Sequence, residues 1–215
     1  MIIAFTGKLG SGKDTAADRL EAMLVQPPID RRAFANLLKN SAAASLGVDR
    51  KILDDNKNNP EGKIYICVGY KPTDLKDALG EYLEEPNVVN EISFGEYYQL
   101  YGTQGHRDQP PPFGPDVWLD GCLPLDEDYT DKLVVVTDCR FLNEADRIHA
   151  LGGYVVKVLG PDDLTSQTRQ ANHQSETEQD QIVPDFTIDN SIRDDDHHAL
   201  DRQLVDILND ISAYR

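Results

Sequence analysis

The most constraining feature of this 215-residue chain is a glycine-rich stretch that directly follows an apolar run near the N-terminus. The run Ile2–Thr6 is apolar and β-branched, which predicts a buried strand. The residues after it read Gly-Lys-Leu-Gly-Ser-Gly-Lys and fit the pattern G-x-x-x-x-G-K. Glycines let backbone N–H groups curl around phosphate oxygens, and the start of the next helix adds its positive end. This predicts a phosphate-binding loop, with these nucleotide-binding residues: Gly7, Gly10, Ser11, Gly12, Lys13, Asp14 and Thr15.

The motif departs from its common form at the residue after Lys13. Asp14 stands where Ser or Thr usually ligates Mg²⁺, and Thr15 follows one residue later. This order resembles that of nucleoside monophosphate kinases, in which Thr15 would touch a phosphate and Asp14 would orient magnesium-bound waters. The alternative for Asp14 is a carboxylate in the first turn of a helix, where the helix dipole favours it.

The chain is strongly acidic, with 21 Lys and Arg against 38 Asp and Glu and a formal net charge of −17. Binding a nucleic-acid backbone needs clustered Lys and Arg, so this charge argues against a nucleic-acid polymer as partner. The 3 cysteines form no C-x-x-C pair, and we expect mostly buried, reduced thiols. No apolar run approaches the ~20 residues of a membrane span and no signal peptide is recognisable, so we expect a cytoplasmic protein without membrane partners.

Strands and helices alternate along the chain, which predicts an α/β fold with a parallel sheet. The clearest strand, at 133–137, is continuous and β-branched and is expected to lie centrally in that sheet. A helix is predicted to begin at Asp30 as N-cap. Two more are predicted at about 73–85 and 93–101, the second opening with a capping box.

A second group of candidate residues follows the strand at 133–137. Asp138 stands where a parallel strand ends, at the sheet edge where such folds bind ligands, and Arg140 faces the same side of an extended chain. The pair suits magnesium handling and phosphate clamping, and a buried ion pair is the alternative. The chain has no N-K-x-D motif for guanine recognition, so a GTPase is not predicted.

Isolated cations suggest a second anionic substrate, because Arg fits a phosphate with two parallel hydrogen bonds. These cations are Lys39, Arg107, Arg140 and Arg169. Any one of them alone is more often a surface residue, so the inference rests on the four together.

Five blocks, in the same order, resemble the deoxynucleoside monophosphate kinases of tailed phages. They are Phe34-Ala35-Asn36-Leu37-Leu38-Lys39, Gln99-Leu100-Tyr101-Gly102-Thr103 with Arg107 and Trp118, Asp138-Cys139-Arg140-Phe141-Leu142-Asn143-Glu144-Ala145, His173-Gln174-Ser175-Glu176, and Asp189-Asn190. Two departures are the order of Gln99 and Leu100 and the leucine after Phe141, where the family pattern has proline. Neither removes a charged group.

The resemblance implies a P-loop NTPase three-layer sandwich over 1–215. Its core would comprise 1–47 and 117–215, with a helical monophosphate-binding insertion at 48–116 and a lid at 160–184. The implied reaction transfers the γ-phosphoryl group of ATP to a (deoxy)nucleoside monophosphate with Mg²⁺ as cofactor, in the host cytoplasm if the protein is viral.

The resemblance also implies a role for each matched residue. Lys13, Asp138, Arg140 and Arg169 would be catalytic, and Asp14, Thr15 and Asp138 would hold Mg²⁺ directly or through water. The residues implied to bind the monophosphate are Lys39, Arg107, Trp118, Arg140, His173 and Glu176. Within this set, Trp118 would either stack on the base or pack, and Glu176 with His173 would position the lid; an ordinary loop histidine is the alternative for His173.

Two other functions stay open from the sequence. One is a P-loop kinase with an alcohol acceptor, similar to dephospho-coenzyme-A kinase, in which Asp138 would serve as base. The other is a binding module that nucleotide switches without phosphoryl transfer. The preferred base, the sugar and the oligomeric state, including a homodimer, are also left open.

Overall fold

The structure, a computed structural model, describes most of the chain, and its ranges are 1–24, 26–57, 59, 61–76, 82–161, 178–192 and 196–213. The side chains of 65–76 and 82–90 lie outside that description. Most of the predicted lid at 160–184 also lies outside the described residues, and so do its candidate site residues Arg169, His173 and Glu176.

The strands of the described residues are β1 (Ile2–Thr6), β2 (Ile29–Arg32), β3 (Lys63–Lys76), β4 (Tyr82–Ser93), β5 (Leu133–Val136), β6 (Tyr154–Leu159) and β7 (Phe186–Asp189). The helices are α1 (Lys13–Met23), α2 (Phe34–Ser45), α3 (Arg50–Asn56), α4 (Phe94–Gly102), α5 (Val117–Cys122), α6 (Leu142–Ala150) and α7 (His198–Ala213), and a π-helical turn, Thr103–Arg107, follows α4. No helix among these is long and apolar enough to cross a bilayer.

The chain divides into two compact units. The first combines Met1–Leu37 with Pro115–Arg215, and the second is Leu38–Gly114. The predicted insertion at 48–116 overlaps most of this second unit, which also includes the later part of α2. The reason is that the later turns of α2 pack with α3 and α4, since Ala42 and Ala43 share one apolar cluster with Leu53 and Tyr98.

The first unit is built on a five-stranded sheet in the order β2-β5-β1-β6-β7. Every neighbouring pair is parallel. All residues of β1 and β5 are buried, which explains why both are continuous apolar runs without alternation. The predicted central position of the strand near 133–137 is confirmed, because β5 lies between β2 and β1.

Apolar clusters cover both faces of this sheet. Ile2 points into a cluster with Leu119 of α5 and Ile148 of α6, whereas Ile3 points into a cluster with Leu20 of α1 and residues of α7. Successive side chains of a strand alternate between faces, so one run of β1 feeds both clusters. The predicted α/β class, with helices on both sides of a parallel sheet, is confirmed.

The second unit contains an antiparallel hairpin of β3 and β4. The helix predicted at about 73–85 is wrong, because β3 continues to Lys76 and β4 begins at Tyr82. Backbone pairing between the strands, which sets Lys76 opposite Tyr82 and Pro72 opposite Glu84, overrides the local helical pattern. The capping box at the start of α4 is confirmed: the hydroxyl of Ser93 accepts a hydrogen bond from the amide of Glu96, whose carboxylate accepts one from the Ser93 amide.

The two cysteines whose side chains are described, Cys122 and Cys139, are buried free thiols. Burial raises the pKa of Cys122 to about 12 and that of Cys139 well above its ordinary range. Both are therefore protonated, unreactive thiols near neutral pH, as the sequence predicts.

The start of α2 differs from the prediction. Asp30 is not its N-cap but lies in the edge strand β2, and α2 begins at Phe34. The side chain of Asp30 instead accepts hydrogen bonds from Arg32, at 2.6 Å and 3.0 Å. Asp30, although Asp is a favourable helix N-cap, therefore forms an ion pair with Arg32 at the edge of the sheet.

A cluster of charges secures this edge of the sheet. Glu127 accepts two hydrogen bonds from Arg32, at 2.5 Å and 2.7 Å, and one from Lys132 at 2.5 Å. The hydrogen bonds from Arg32 and then Lys132 lower the pKa of Glu127 to about 2. Both cations also lie close to the ring of Tyr129, at 5.7 Å and 5.6 Å from its centroid.

We predict that Glu127→Gln lowers the free energy of unfolding by about 2 kcal/mol at neutral pH, because it removes charge-assisted hydrogen bonds. The folded pKa of about 2 lies below the ordinary value of 4.5. The stabilisation is therefore full above about pH 4.5 and is lost as the pH falls toward 2. Denaturant titrations at several pH values would show wild type and variant converging at acid pH. A constant difference across that range, or an equal loss in the exposed control Asp131→Asn, would contradict this account.

Candidate active site

The glycine-rich loop joins the carboxyl end of β1 to α1, and its shape demands glycine at two positions. Gly7 and Gly12 have φ of +144° and +100°. A Cβ at Gly7 would lie 2.3 Å from the carbonyl oxygen of Val158, and one at Gly12 would lie 2.3 Å from Nδ2 of Asn190. Gly12, the N-cap of α1, supplies no side-chain cap, and the first amides of this 11-residue helix have no acceptor within the helix itself.

Lys13 is almost buried at the base of this loop. Its ammonium donates hydrogen bonds to the carbonyl oxygens of Gly7 at 2.5 Å and Lys8 at 2.9 Å. The residue is 8% exposed. The lysine that the motif assigns to the phosphates is thus folded back onto its own loop.

Two buried amide side chains hold the loop from outside. Gln179 donates through Nε2 to the carbonyl of Gly7 at 2.7 Å and to the hydroxyl of Thr6 at 3.2 Å. Asn190 donates through Nδ2 to the carbonyl of Ser11 at 2.8 Å. Asn190 belongs to a block that the sequence singled out, whereas Gln179 was missed, because a glutamine in a polar segment carries no distinguishing pattern.

A cavity of about 320 Å³ opens at the carboxyl ends of β1 and β5. Its walls are formed by Leu9, Gly10, Gly12, Lys13, Asp14, Thr15, Thr137, Asp138 and Arg140. The fold therefore brings together two groups of predicted site residues that lie more than a hundred positions apart in the sequence.

The carboxylate of Asp138 anchors the start of α2. Its two oxygens accept hydrogen bonds from the amides of Phe34 and Ala35, each at 2.8 Å. These amides are among the first of the helix and have no partner within it. Asp138 therefore caps α2 from a position 104 residues further along the chain while also lining the cavity.

Arg140 is positioned by the turn that leads into α6. The amides of Arg140 and Phe141 both donate to one oxygen of Glu144, at 2.7 Å and 3.0 Å. Glu144 is 2% exposed. A buried carboxylate thus fixes the backbone from which Arg140 projects at the cavity wall.

Asp14 combines features of both sequence interpretations. It lies in the first turn of α1, and it also lines the cavity. Its side chain is 81% exposed and pairs with Arg31 at 3.3 Å. The carboxylate is thus oriented by an arginine of β2 but remains open to a further ligand.

Lys39 and Arg107 belong to the second unit. The ammonium of Lys39 pairs with Asp54 at 3.2 Å, and Asp54 also pairs with Arg50 at 2.9 Å. Arg107 ends the π-helical turn, a rare conformation that is frequent at functional sites.

The ring of His106 supports that turn. Its Nδ1 lies 2.7 Å from the carbonyl oxygen of Tyr101, and the ring packs against Tyr101 and Phe113 with centroid distances of 4.3 Å and 4.8 Å.

In the first unit, Trp118 is 5% exposed, which leaves little ring surface for stacking on a base. This burial favours the packing alternative for Trp118.

The donor set at the cavity suits a hard cation. Asp14, Thr15 and Asp138 offer oxygen atoms there, as Mg²⁺ prefers. Within the described part of the chain, no group of three or more His, Cys, Asp or Glu residues could hold a metal alone. In proteins, Mg²⁺ commonly takes one or two carboxylates and completes its shell with substrate phosphates and water.

A parallel sheet, a glycine-rich loop after its first strand and a lysine at the base of that loop define the class of P-loop phosphate-binding proteins. No family model matches the chain. A protein of Acanthamoeba polyphaga mimivirus described as "Putative deoxynucleotide monophosphate kinase" is 30% identical over 190 residues, which cover 83% of this chain and 81% of that protein. The chain belongs to the P-loop nucleoside monophosphate kinase-like family that this relative represents.

Among solved structures, shikimate kinase from Bacteroides thetaiotaomicron is similar over 99% of this chain and 98% of its own, with 10% identity and a TM-score of 0.38. The narrower resemblance to enzymes of tailed phages stays a prediction.

We predict that Asp138→Ala lowers the free energy of unfolding by about 2 kcal/mol, because two amides at the start of α2 lose their acceptor. Asp138→Asn keeps one oxygen and should lose less. Denaturant unfolding measures both, with the exposed Asp126→Ala as control. An unchanged unfolding midpoint in Asp138→Ala would show that the contact does not stabilise the helix.

Proposed function

We propose that this protein transfers the γ-phosphoryl group of ATP to a (deoxy)nucleoside monophosphate and releases the diphosphate and ADP. The observation that carries the proposal is the mimivirus relative, whose similarity extends over 83% of the chain. The cavity beside the phosphate loop supports it, because Lys13 and Arg140 lie on its wall.

The proposed ATP site is the phosphate loop and the start of α1. Lys13 would leave the carbonyls of Gly7 and Lys8 and donate to the β- and γ-phosphates. The backbone amides between Gly10 and Thr15 would donate to phosphate oxygens, aided by the positive end of the helix. The hydroxyl groups of Ser11 and Thr15 would add uncharged hydrogen-bond donors to the phosphates.

The acceptor asks little covalent chemistry of the protein. A monophosphate carries about −1.5 to −2 charges at neutral pH, so its attacking oxygen is already an anion and needs no general base. The enzyme must align the two phosphates, exclude water and stabilise the transferred group. In this scheme Arg140 would contact the transferred group and Arg107 would bind the acceptor phosphate, both through paired hydrogen bonds.

The contacts of Asp138 agree better with a monophosphate acceptor than with an alcohol. Each of its oxygens already accepts a hydrogen bond from an amide of α2. A role as base toward an alcohol would compete with this anchoring. We therefore assign Asp138 to positioning and to water around the metal.

Mg²⁺ would be held by the nucleotide phosphates with Thr15, and by Asp14 and Asp138 directly or through water. When bound, it neutralises phosphate charge. The ion pair of Asp14 with Arg31, at 3.3 Å, leaves most of its carboxylate exposed for this role.

The remaining substrate-binding residues complete the proposal. Lys39 would add positive charge for the monophosphate, and Trp118 would support its pocket by packing. Arg169 would close on the transferred group, and His173 with Glu176 would position the lid, as the family resemblance implies.

The reaction is tested by following ADP release with ATP and each of the four deoxynucleoside monophosphates in turn. We expect turnover with at least one of them, dependence on Mg²⁺, and loss of activity in Lys13→Met, since the charge on the phosphates loses its partner. Turnover of an alcohol acceptor with none of the monophosphates would overturn the proposal. Slow ATP hydrolysis that no acceptor stimulates would favour the nucleotide-switched binding module instead.

Arg107→Gln should raise the KM for the monophosphate about 10- to 100-fold, because a paired hydrogen bond to phosphate is lost. The KM for ATP should change little. Steady-state kinetics with either substrate varied measures both constants, and Arg202→Gln on the exposed face of α7 is the matched control. Equal effects on the two KM values would place Arg107 outside the acceptor site.

A further inference from the structure

The carbonyl oxygen of Gly7 receives two hydrogen bonds of different kinds. One comes from the ammonium of Lys13 at 2.5 Å and the other from Nε2 of Gln179 at 2.7 Å. Because a carbonyl oxygen is an acceptor alone, the amide nitrogen of Gln179, and not its oxygen, must face Gly7. The side chain is 2% exposed, so water cannot easily substitute for it.

The direction of this carbonyl matters for anion binding. In a trans peptide the C=O of one residue and the N–H of the next point in opposite directions. When Gln179 holds the Gly7 carbonyl, it therefore fixes where the amide of Lys8 points. Asn190 does the same for the peptide between Ser11 and Gly12.

The two donors to Gly7 differ in what nucleotide binding does to them. Lys13 would leave the carbonyl to reach the phosphates, whereas Gln179 is held in place by its own burial. If Gln179 were absent, Lys13 would be the side-chain donor left to the Gly7 carbonyl. When Lys13 then moved to the phosphates, the carbonyl would have neither of these two donors. A buried polar atom without a partner is costly, so that loss would oppose binding.

We propose that Gln179 is a positioning residue for nucleotide binding, which keeps the Gly7 carbonyl bonded and the phosphate loop in shape when Lys13 transfers to the phosphates. The inference rests on the proposed function only in taking a nucleotide phosphate as the ligand of the loop. It does not depend on the identity of the acceptor.

The carbonyl oxygen of the Gln179 side chain helps to distinguish a role in nucleotide binding from ordinary structural support. Oε1 of Gln179 is buried and has no hydrogen-bond partner among the described residues. In the ligand-free protein, Lys13 already bonds the Gly7 carbonyl. Before nucleotide binds, an apolar side chain of similar length at 179 should therefore cost mainly the longer bond to the Thr6 hydroxyl, at 3.2 Å. After nucleotide binds, it should also leave the Gly7 carbonyl without its side-chain donor.

The test is Gln179→Met, which keeps the length of the side chain and removes its donor. Gln181→Met is the matched control, because Gln181 is exposed in the same segment. Calorimetric titration with ADP and with a non-hydrolysable ATP analogue, without any acceptor, measures affinity. Thermal unfolding of the ligand-free proteins measures stability.

We expect Gln179→Met to bind both nucleotides about 5- to 10-fold more weakly, the size of one net hydrogen bond. Its ligand-free melting temperature should stay close to that of the wild type, and the control should match wild type in both measurements. The KM for ATP should rise while the KM for the acceptor stays near the wild-type value.

Two outcomes would overturn the inference. Unchanged nucleotide affinity would show that Gln179 does not serve the bound state, and a large fall in ligand-free stability, or failure to fold, would show an ordinary structural role. Failure of the kinase proposal would appear differently, as absent turnover in the wild type with its nucleotide binding intact.

Discussion

The parallel pairing of β1 with β5 on one side and β6 on the other is the constraint on which the site depends. Parallel strands end at the same edge of a sheet, so the loop that follows β1 and the turn that follows β5 meet there. Lys13 and Asp138 share one cavity wall for this reason, although neither lies near the other in the sequence. The close approach of Gly7 to the carbonyl of Val158, at the end of β6, follows from the same pairing.

The sheet and its loop could be predicted because their sequence patterns are local. Buried parallel strands are continuous apolar runs, and the loop needs glycines that no other residue can replace. The start of α2 could not be predicted, because its capping carboxylate is Asp138, 104 residues away, while the apparent cap, Asp30, is paired with Arg32. The helix predicted at about 73–85, within the hairpin of β3 and β4, is wrong because strand pairing between distant residues outweighs local propensity.

The candidate site shows the same division. Its charged residues were predicted from motifs whose chemistry is recognisable, but the groups that orient them were not. Glu144 accepts hydrogen bonds from two backbone amides, and Gln179 donates one to a backbone carbonyl, over distances that only the folded chain defines. The pairing of Lys39 with Asp54 was equally hidden, because it joins two helices of the second unit.

In a chain of net charge −17, many cations are expected to be paired with carboxylates. Whether the present partner of a cation is charged or neutral affects how readily that cation can bind a phosphate. Arg31 and Lys39 pair with carboxylates, Asp14 and Asp54, so a phosphate must compete with an anion for them. Lys13 is held by the carbonyls of Gly7 and Lys8, which are neutral and place the ammonium without cancelling its charge. Exchanging a neutral acceptor for a phosphate adds an attraction between opposite charges to a hydrogen bond whose donor is already ionised. Of these three cations, the loop lysine is therefore the one that a phosphate can reach without displacing a paired carboxylate.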